Sequence, residues 1–224
     1  MSQQNKLNVL WQEVSTKRVF QFKNILKDFY LLHKYDLRFV RPGQLRIRFD
    51  RELVPDCANC AKNCCHGAEN TVSLRLVDIA RLLDAGLAEA IDLDNQSFRE
   101  DPYFKTNKKL LRSLNNDSWN FFPVLKRINN ICPYLDRKKR CTIYAHRPLT
   151  CRRFPYVLAT SKRDLLFSKK CYNPKKSESA KLPAQLFQDS IDSYNERVKD
   201  LILINYAKQE LIELGLGRYL NITE

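Results

Sequence analysis

Eight cysteines in a chain of 224 residues fall into two sets. Cys57, Cys60, Cys64 and Cys65 lie within nine positions, while Cys132, Cys141, Cys151 and Cys171 are spread through the second half. A chain of this length buries its own core without the disulfide staples that small secreted domains need. The thiols therefore read first as thiolate ligands for zinc or iron. Cys57 and Cys60 form a C-x2-C pair, whose tight loop directs both sulfurs at one metal. Cys64 and Cys65 are adjacent, and neighbouring side chains in extended backbone point to opposite sides. Either they serve two different sites, or one binds while its neighbour packs as a small hydrophobe.

The second set is separated by eight, nine and nineteen residues, too open for another knuckle. A zinc ribbon would offer a second C-x2-C. Single cysteines folded around the first cluster suit an iron-sulfur cluster, such as a 4Fe-4S centre, or a pair of sites, which puts iron-sulfur ahead of zinc. A catalytic Cys151, its pKa lowered by Arg152, Arg153 and His146, is a rival that leaves seven cysteines unexplained. His66 and His146 are weaker ligand candidates, because a lone histidine in a loop is more often solvated or hydrogen-bonded.

Several elements must position these residues. Phe22, Ile25, Leu26, Phe29 and Leu32 recur at helical spacing and predict an amphipathic helix from Ser15 or Thr16 to about His33, its apolar stripe in the core. After the Pro42-Gly43 turn, Leu45, Ile47 and Phe49 alternate with Arg46 and Arg48 as in a half-buried strand leading to the first cluster. Val72 to Leu76 reads as a short strand, Val77 to Ala85 as a helix stopped by Gly86, and Lys108 to Leu114 as a short helix. Phe121 to Leu125, Ile143 with Tyr144, Tyr156 to Ala159 and Leu165 to Phe167 read as hairpin strands, with Ser161 to Asp164 turning the last pair. Lys175 to Lys181 is a polar linker. Phe187, Ile191, Tyr194, Val198 and Leu201 predict a long helix from about Ala184 to Leu214, ended by Gly215 and able to pair with the first helix.

The expected fold class is therefore α+β: a cysteine-rich core of short hairpin strands and loops over 51–175, preceded by a helix and strand over 1–50 and braced by a C-terminal helix over 176–224. No stretch is apolar enough to cross a membrane. The N-terminus lacks the pattern of a secretory signal, so a cytoplasmic setting that keeps thiols reduced is expected. The formal charge is +14, and 126–175 alone carry fourteen basic and two acidic residues. Two sites of charge −2 each would lower the total only to about +10. The surplus makes this region a candidate surface for an acidic protein or nucleic acid. Arg147 and Arg152 are expected to bind thiolates or loop carbonyls, and Tyr144, Phe154 and Tyr156 to form an apolar wall.

The cluster C-A-N-C-A-K-N-C-C, the stretch V-S-L-R-L-V-D-I-A-R-L, and C-P-Y-L-D-R-K-K-R-C-T-I-Y-A-H-R-P-L-T-C-R-R-F-P together resemble the bacterial CxxCxxCC cysteine-cluster family of zinc- or iron-chelating proteins. The resemblance covers about Cys57 to Cys171. It implies that Cys57, Cys60, Cys64, Cys65, Cys132, Cys141 and Cys151 are metal-site residues, with Cys171 matching a later family cysteine. Three residues rather than two separate Cys60 from Cys64, which leaves open which of Cys64 and Cys65 fills the family position. The signature is also similar to that of flagellin lysine N-methylases, which implies protein methylation with S-adenosylmethionine. Against this, Cys60-x3-Cys64 is followed at the third place by Gly67, and no glycine-rich strand-to-helix turn is present. A zinc-stabilised nucleic-acid module using 126–175 is a further alternative.

Overall fold

The computed structural model describes residues 1–20, 26, 29, 39–50, 52–56, 72–94, 122–129, 131–138, 140–159, 164–169, 171, 173–176 and 184–220. Their elements, in chain order, are helix α1 (Gln3–Phe20), strands β1 (Arg46–Ile47) and β2 (Leu53–Pro55), helix α2 (Leu76–Asp84), strands β3 (Ile91–Asp94) and β4 (Phe122–Leu125), helix α3 (Leu149–Arg153), strands β5 (Tyr156–Ala159), β6 (Asp164–Phe167) and β7 (Pro174–Lys176), and helices α4 (Ala184–Tyr206) and α5 (Lys208–Glu213). The α+β class holds. The chain divides into two compact units, one of 1–38, 73–124 and 196–224, the other of 39–72 and 125–195.

The first unit is built on helices. Leu7, Leu10 and Val14 bury one side of α1, which packs on α2. Its start is fixed from a distance: the Asp84 carboxylate accepts the Gln3 and Gln4 amides at 2.6 and 3.0 Å. A carboxylate there satisfies orphan amide donors and complements the helix dipole. Ile79, Ala80 and Leu82 of α2 are wholly buried. Gly86, at φ +71, ends α2 in the left-handed region that glycine enters without strain. Strands β3 and β4 pair, and Ser73 bridges Val124. The later part of α4 buries Val198, Ile202 and Leu203. The chain breaks at Ala207 before α5, and Gly215 turns it at φ +73.

Several expectations about this unit need correction. The first helix begins at Gln3, about twelve residues before its expected start. Leu26 and Phe29 are helical but 57% and 65% exposed, so that part of the stripe is not core. Phe22, Ile25 and Leu32 lie outside the described residues, as does the helix expected over Lys108 to Leu114. Beyond the first cluster only the Ser73 bridge stands where a strand was expected, and β4 pairs with the upstream β3. The C-terminal helix is interrupted at Ala207.

The second unit is held by short strands. β1 runs parallel to β6, with Arg46 opposite Asp164 and Ile47 opposite Leu165. β5 and β6 are antiparallel, from Tyr156 opposite Phe167 to Ala159 opposite Asp164. Arg46 and Arg48, on the exposed face of the alternating strand, converge on Asp164 at 2.9 and 3.4 Å. Beneath them Phe49 packs on Tyr156 and Phe167, and those two meet edge to face, with ring centroids 5.4 to 6.1 Å apart. Each such contact contributes about 0.5–1.5 kcal/mol beyond area burial, comparable with one ladder hydrogen bond. The two-residue β1 is thus reinforced by the aromatic cluster. Asn195 of α4 completes the unit by bonding both the amide and the carbonyl of Val40, at 2.8 and 3.0 Å.

Candidate metal centre

All eight cysteines belong to the sequence stretches of the second unit. The structure describes four of them. Cys132 is buried, and Cys141, Cys151 and Cys171 are half-buried. Cys57, Cys60, Cys64 and Cys65, with His66 beside them, lie outside the described residues.

Cys132 and Cys141 sit on the two legs of one hairpin. Asn129, at φ +51, turns the chain so that Ile128 and Ile131 exchange backbone hydrogen bonds just before Cys132. The Leu135 amide then donates to the Cys132 carbonyl at 3.2 Å, and Leu135 bridges Cys141 across the hairpin. Leu135 thus links the backbones of two cysteines that eight residues separate in sequence. At the tip, Asp136 folds inward and accepts both the amide and the Nε of Arg140, at 2.8 and 3.0 Å. The Arg140 amide bond lowers its carboxyl pKa, desolvation opposes this, and the Arg140 side chain adds to the lowering. Arg137, Lys138 and Arg140 remain exposed around it.

Cys151 is the middle residue of α3, whose first turn closes with the Cys151 amide on the Pro148 carbonyl at 2.9 Å. Leu149 anchors this short helix in the core. Arg152 reaches Asp189 at 2.5 Å, and Arg153 donates to the Tyr156 carbonyl at 3.0 Å. Arg147 ties down the Tyr144 carbonyl at 3.2 Å, with its guanidinium 3.5 Å from the centre of the Tyr144 ring. Of the arginines singled out in sequence, Arg147 thus holds a loop carbonyl while Arg152, itself half-buried, pairs with the buried Asp189. Tyr144 is 65% exposed in a 3-10 turn, neither part of a strand nor part of an apolar wall. Tyr156 is wholly buried, packed on Phe49 and Phe167.

Cys171 follows β6, its amide bonded to Ser168 at 3.1 Å. The Tyr156 hydroxyl donates to the Leu53 carbonyl at 3.3 Å, and its pKa is raised, first by burial and then by the charge of a nearby Cys171 thiolate. Two residues beyond Cys171, Asn173 meets Asp56. The Asp56 amide donates to the Asn173 carbonyl at 2.9 Å, the Asn173 side chain returns a bond to the Asp56 carbonyl at 3.2 Å, and Lys175 lies 3.5 Å from the Asp56 carboxylate. This continues the β2–β7 ladder, in which Pro55 faces Pro174. Asp56 immediately precedes Cys57. The chain is therefore clamped beside Cys171 at the point where it enters the first cluster.

Among the described residues, no three His, Cys, Asp or Glu side chains come together to hold an ion. The donor chemistry nevertheless suits soft thiophilic metals: sulfurs half-buried or buried, on backbone pinned by hydrogen bonds, in a setting rich in cations that offset thiolate charge. Asp189 and the Asp56–Asn173 clamp escape sequence inspection. The former lies on a helix beyond the cysteine region, and the latter is a pairing between residues more than a hundred positions apart.

The CxxCxxCC family, described as a putative zinc- or iron-chelating domain, matches residues 56–177, more than half of the 224-residue chain. The chain belongs to this family of metal-chelating domains. No curated protein and no solved structure matches it. Among the described residues, no helix is long and apolar enough to cross a membrane.

Proposed function

We propose that the second unit is a metal-binding domain in which Cys57, Cys60, Cys64, Cys65, Cys132, Cys141, Cys151 and Cys171 supply the ligands, and that the centre is an iron-sulfur cluster, with zinc as the alternative. The observation that carries this is the Asp56–Asn173 clamp, which holds the threshold of the first cysteine cluster next to the last cysteine of the second. The grouping of both cysteine sets in one compact unit supports it further. The centre would hold together loops that hydrogen bonds alone tether only weakly, so metal loading and folding of this unit are coupled. A reducing, cytoplasmic setting suits thiols held for metal.

The test is anaerobic purification with analysis of iron, acid-labile sulfide and zinc, on the native protein and on Cys57→Ser and Cys151→Ser. Iron and sulfide in stoichiometric amount with broad visible absorption support the cluster, and colourless protein with stoichiometric zinc supports the alternative. Each serine variant should lose most of the metal and melt many degrees lower. Unchanged metal content and melting in both variants would overturn the ligand assignment.

One observation favours a second, compatible role. The cysteine-bearing unit carries twenty-one Lys and Arg against nine Asp and Glu, a net +12. The two carboxylates within 126–175, Asp136 and Asp164, are both engaged by arginines. Thiolate centres of charge −2 each leave a large surplus. A polyanion, here nucleic acid, would neutralise it through the hairpin carrying Arg137, Lys138 and Arg140.

A further inference from the structure

Asp189 lies outside the segment that matches the family, which ends at residue 177. It is nonetheless 3% exposed, in the first half of α4. A carboxylate is rarely so buried unless paired and hydrogen-bonded. Its Oδ1 accepts from the Arg152 guanidinium at 2.5 Å and from Gln185 Nε2, one turn earlier on the same helix, at 3.0 Å. Arg152 is the residue after Cys151. Helix α3, which carries both, has only five residues, far too few to persist on helix propensity alone. Its direction is therefore set by tertiary anchors. Leu149 buries its first turn, and the Arg152–Asp189 pair holds its last. Successive helical residues project about 100° apart, so fixing Leu149 and Arg152 fixes the sector into which Cys151 projects.

We infer that Asp189 is a positioning residue for the metal centre: through Arg152 it orients α3 and thereby aims the Cys151 sulfur. The working metal domain then extends past the family segment into α4. Asn195, on the same half of α4, bonds both backbone groups of Val40 and secures this helix to the unit. The inference rests on the metal reading above for its consequence, but not for its geometry.

Two variants and two measurements test it. Asp189→Asn keeps an acceptor and removes the charge. Arg152→Met combined with Asp189→Leu replaces the buried pair with apolar groups, a change that is often neutral or stabilising for the fold. The first measurement is the rate at which iodoacetamide labels Cys151 relative to Cys132 in the protein as purified, read by mass spectrometry. The second is the rate of metal loss to excess chelator from loaded protein. In the double variant the melting temperature should stay near or above that of the native chain. Cys151 should nevertheless label several-fold faster relative to Cys132, and metal should leave about 10–100-fold faster, the usual cost of removing a group that orients a ligand. Asp189→Asn should show the same changes at smaller size. Native labelling ratios and native metal release in the double variant would overturn the inference. A native protein that takes up no metal would defeat the metal reading alone, and the labelling ratio would still decide whether Asp189 orients Cys151.

Discussion

The two units of this chain solve different physical problems. The helical unit carries eighteen Lys and Arg against sixteen Asp and Glu, and it closes around wholly buried Ile79, Leu82, Leu211 and Leu216. The cysteine-bearing unit carries twenty-one against nine, and its strands are two to four residues long. Its order comes from point attachments: an aromatic triad, the Asp164 and Asp189 ion pairs, and the clamp at Asp56. Apolar area alone can support the first kind of structure. The second concentrates like charge on short strands around buried Leu149, Tyr156, Leu165 and Ile191, and a thiolate-bound metal is a further source of stability that its residue types can provide.

The largest expected effect that separates the units is a core truncation. Ile79→Ala, at a wholly buried position of α2, should lower stability by about 2–5 kcal/mol. Denaturant unfolding followed by circular dichroism measures the loss. Metal content per folded molecule and the visible spectrum should remain native. Loss of metal in this variant would mean that the two units do not behave separately, and the comparison would fail.

Asp200 on α4 sharpens the contrast through pH. Burial pushes its carboxyl from 3.8 to about 8; Arg75 opposes the rise, Glu196 and Asp78 favour it, and the Leu76 amide donates to it. The folded chain keeps this proton where the unfolded chain has lost it. Its contribution to stability therefore falls as pH rises from near 4 to about 8, and levels off above that. Asp200→Asn retains an acceptor for the Leu76 amide and removes the titration. Thermal melts should give curves that coincide near pH 4 and diverge in favour of the variant by a few degrees by pH 8 to 9. Parallel curves across that range would show that Asp200 is already ionised in the folded protein.

What was legible in the sequence follows the same division. Tyr156 to Ala159 reads correctly because an apolar run is followed in sequence by the charged Lys162-Arg163-Asp164, and Gly86 and Gly215 mark their helix ends because both take positive φ. The early start of α1 is hidden, since Leu7, Leu10 and Val14 are a sparse stripe and the capping carboxylate, Asp84, lies eighty residues downstream. Ile143 and Tyr144 misread as a strand because two apolar residues cannot distinguish a strand from a turn. The candidate ligands are legible by residue type alone. Their supports are not: Asp189 acquires its meaning only when α3 and α4 meet, and Asn173 only when β7 pairs with β2.

The smallest effect concerns charge on the cysteine-bearing unit. Arg137 and Lys138 stand exposed at a hairpin tip whose one carboxylate, Asp136, is turned inward onto Arg140. Replacing both with glutamine leaves the Asp136–Arg140 bonds in place, so the melting temperature should change by no more than a degree or two. Binding to a fluorescent RNA oligomer, measured by anisotropy at several salt concentrations, should weaken, and the slope of log affinity against log salt should decrease by about two, one for each cation removed from phosphate. A native protein without salt-dependent binding would remove nucleic acid as the partner. Native binding with an unchanged slope in the variant would move the contact elsewhere on the unit. The first result would leave the +12 surplus as a property the unit must tolerate by itself, and self-repulsion then predicts that added salt stabilises the cysteine-bearing unit more than the near-neutral helical unit.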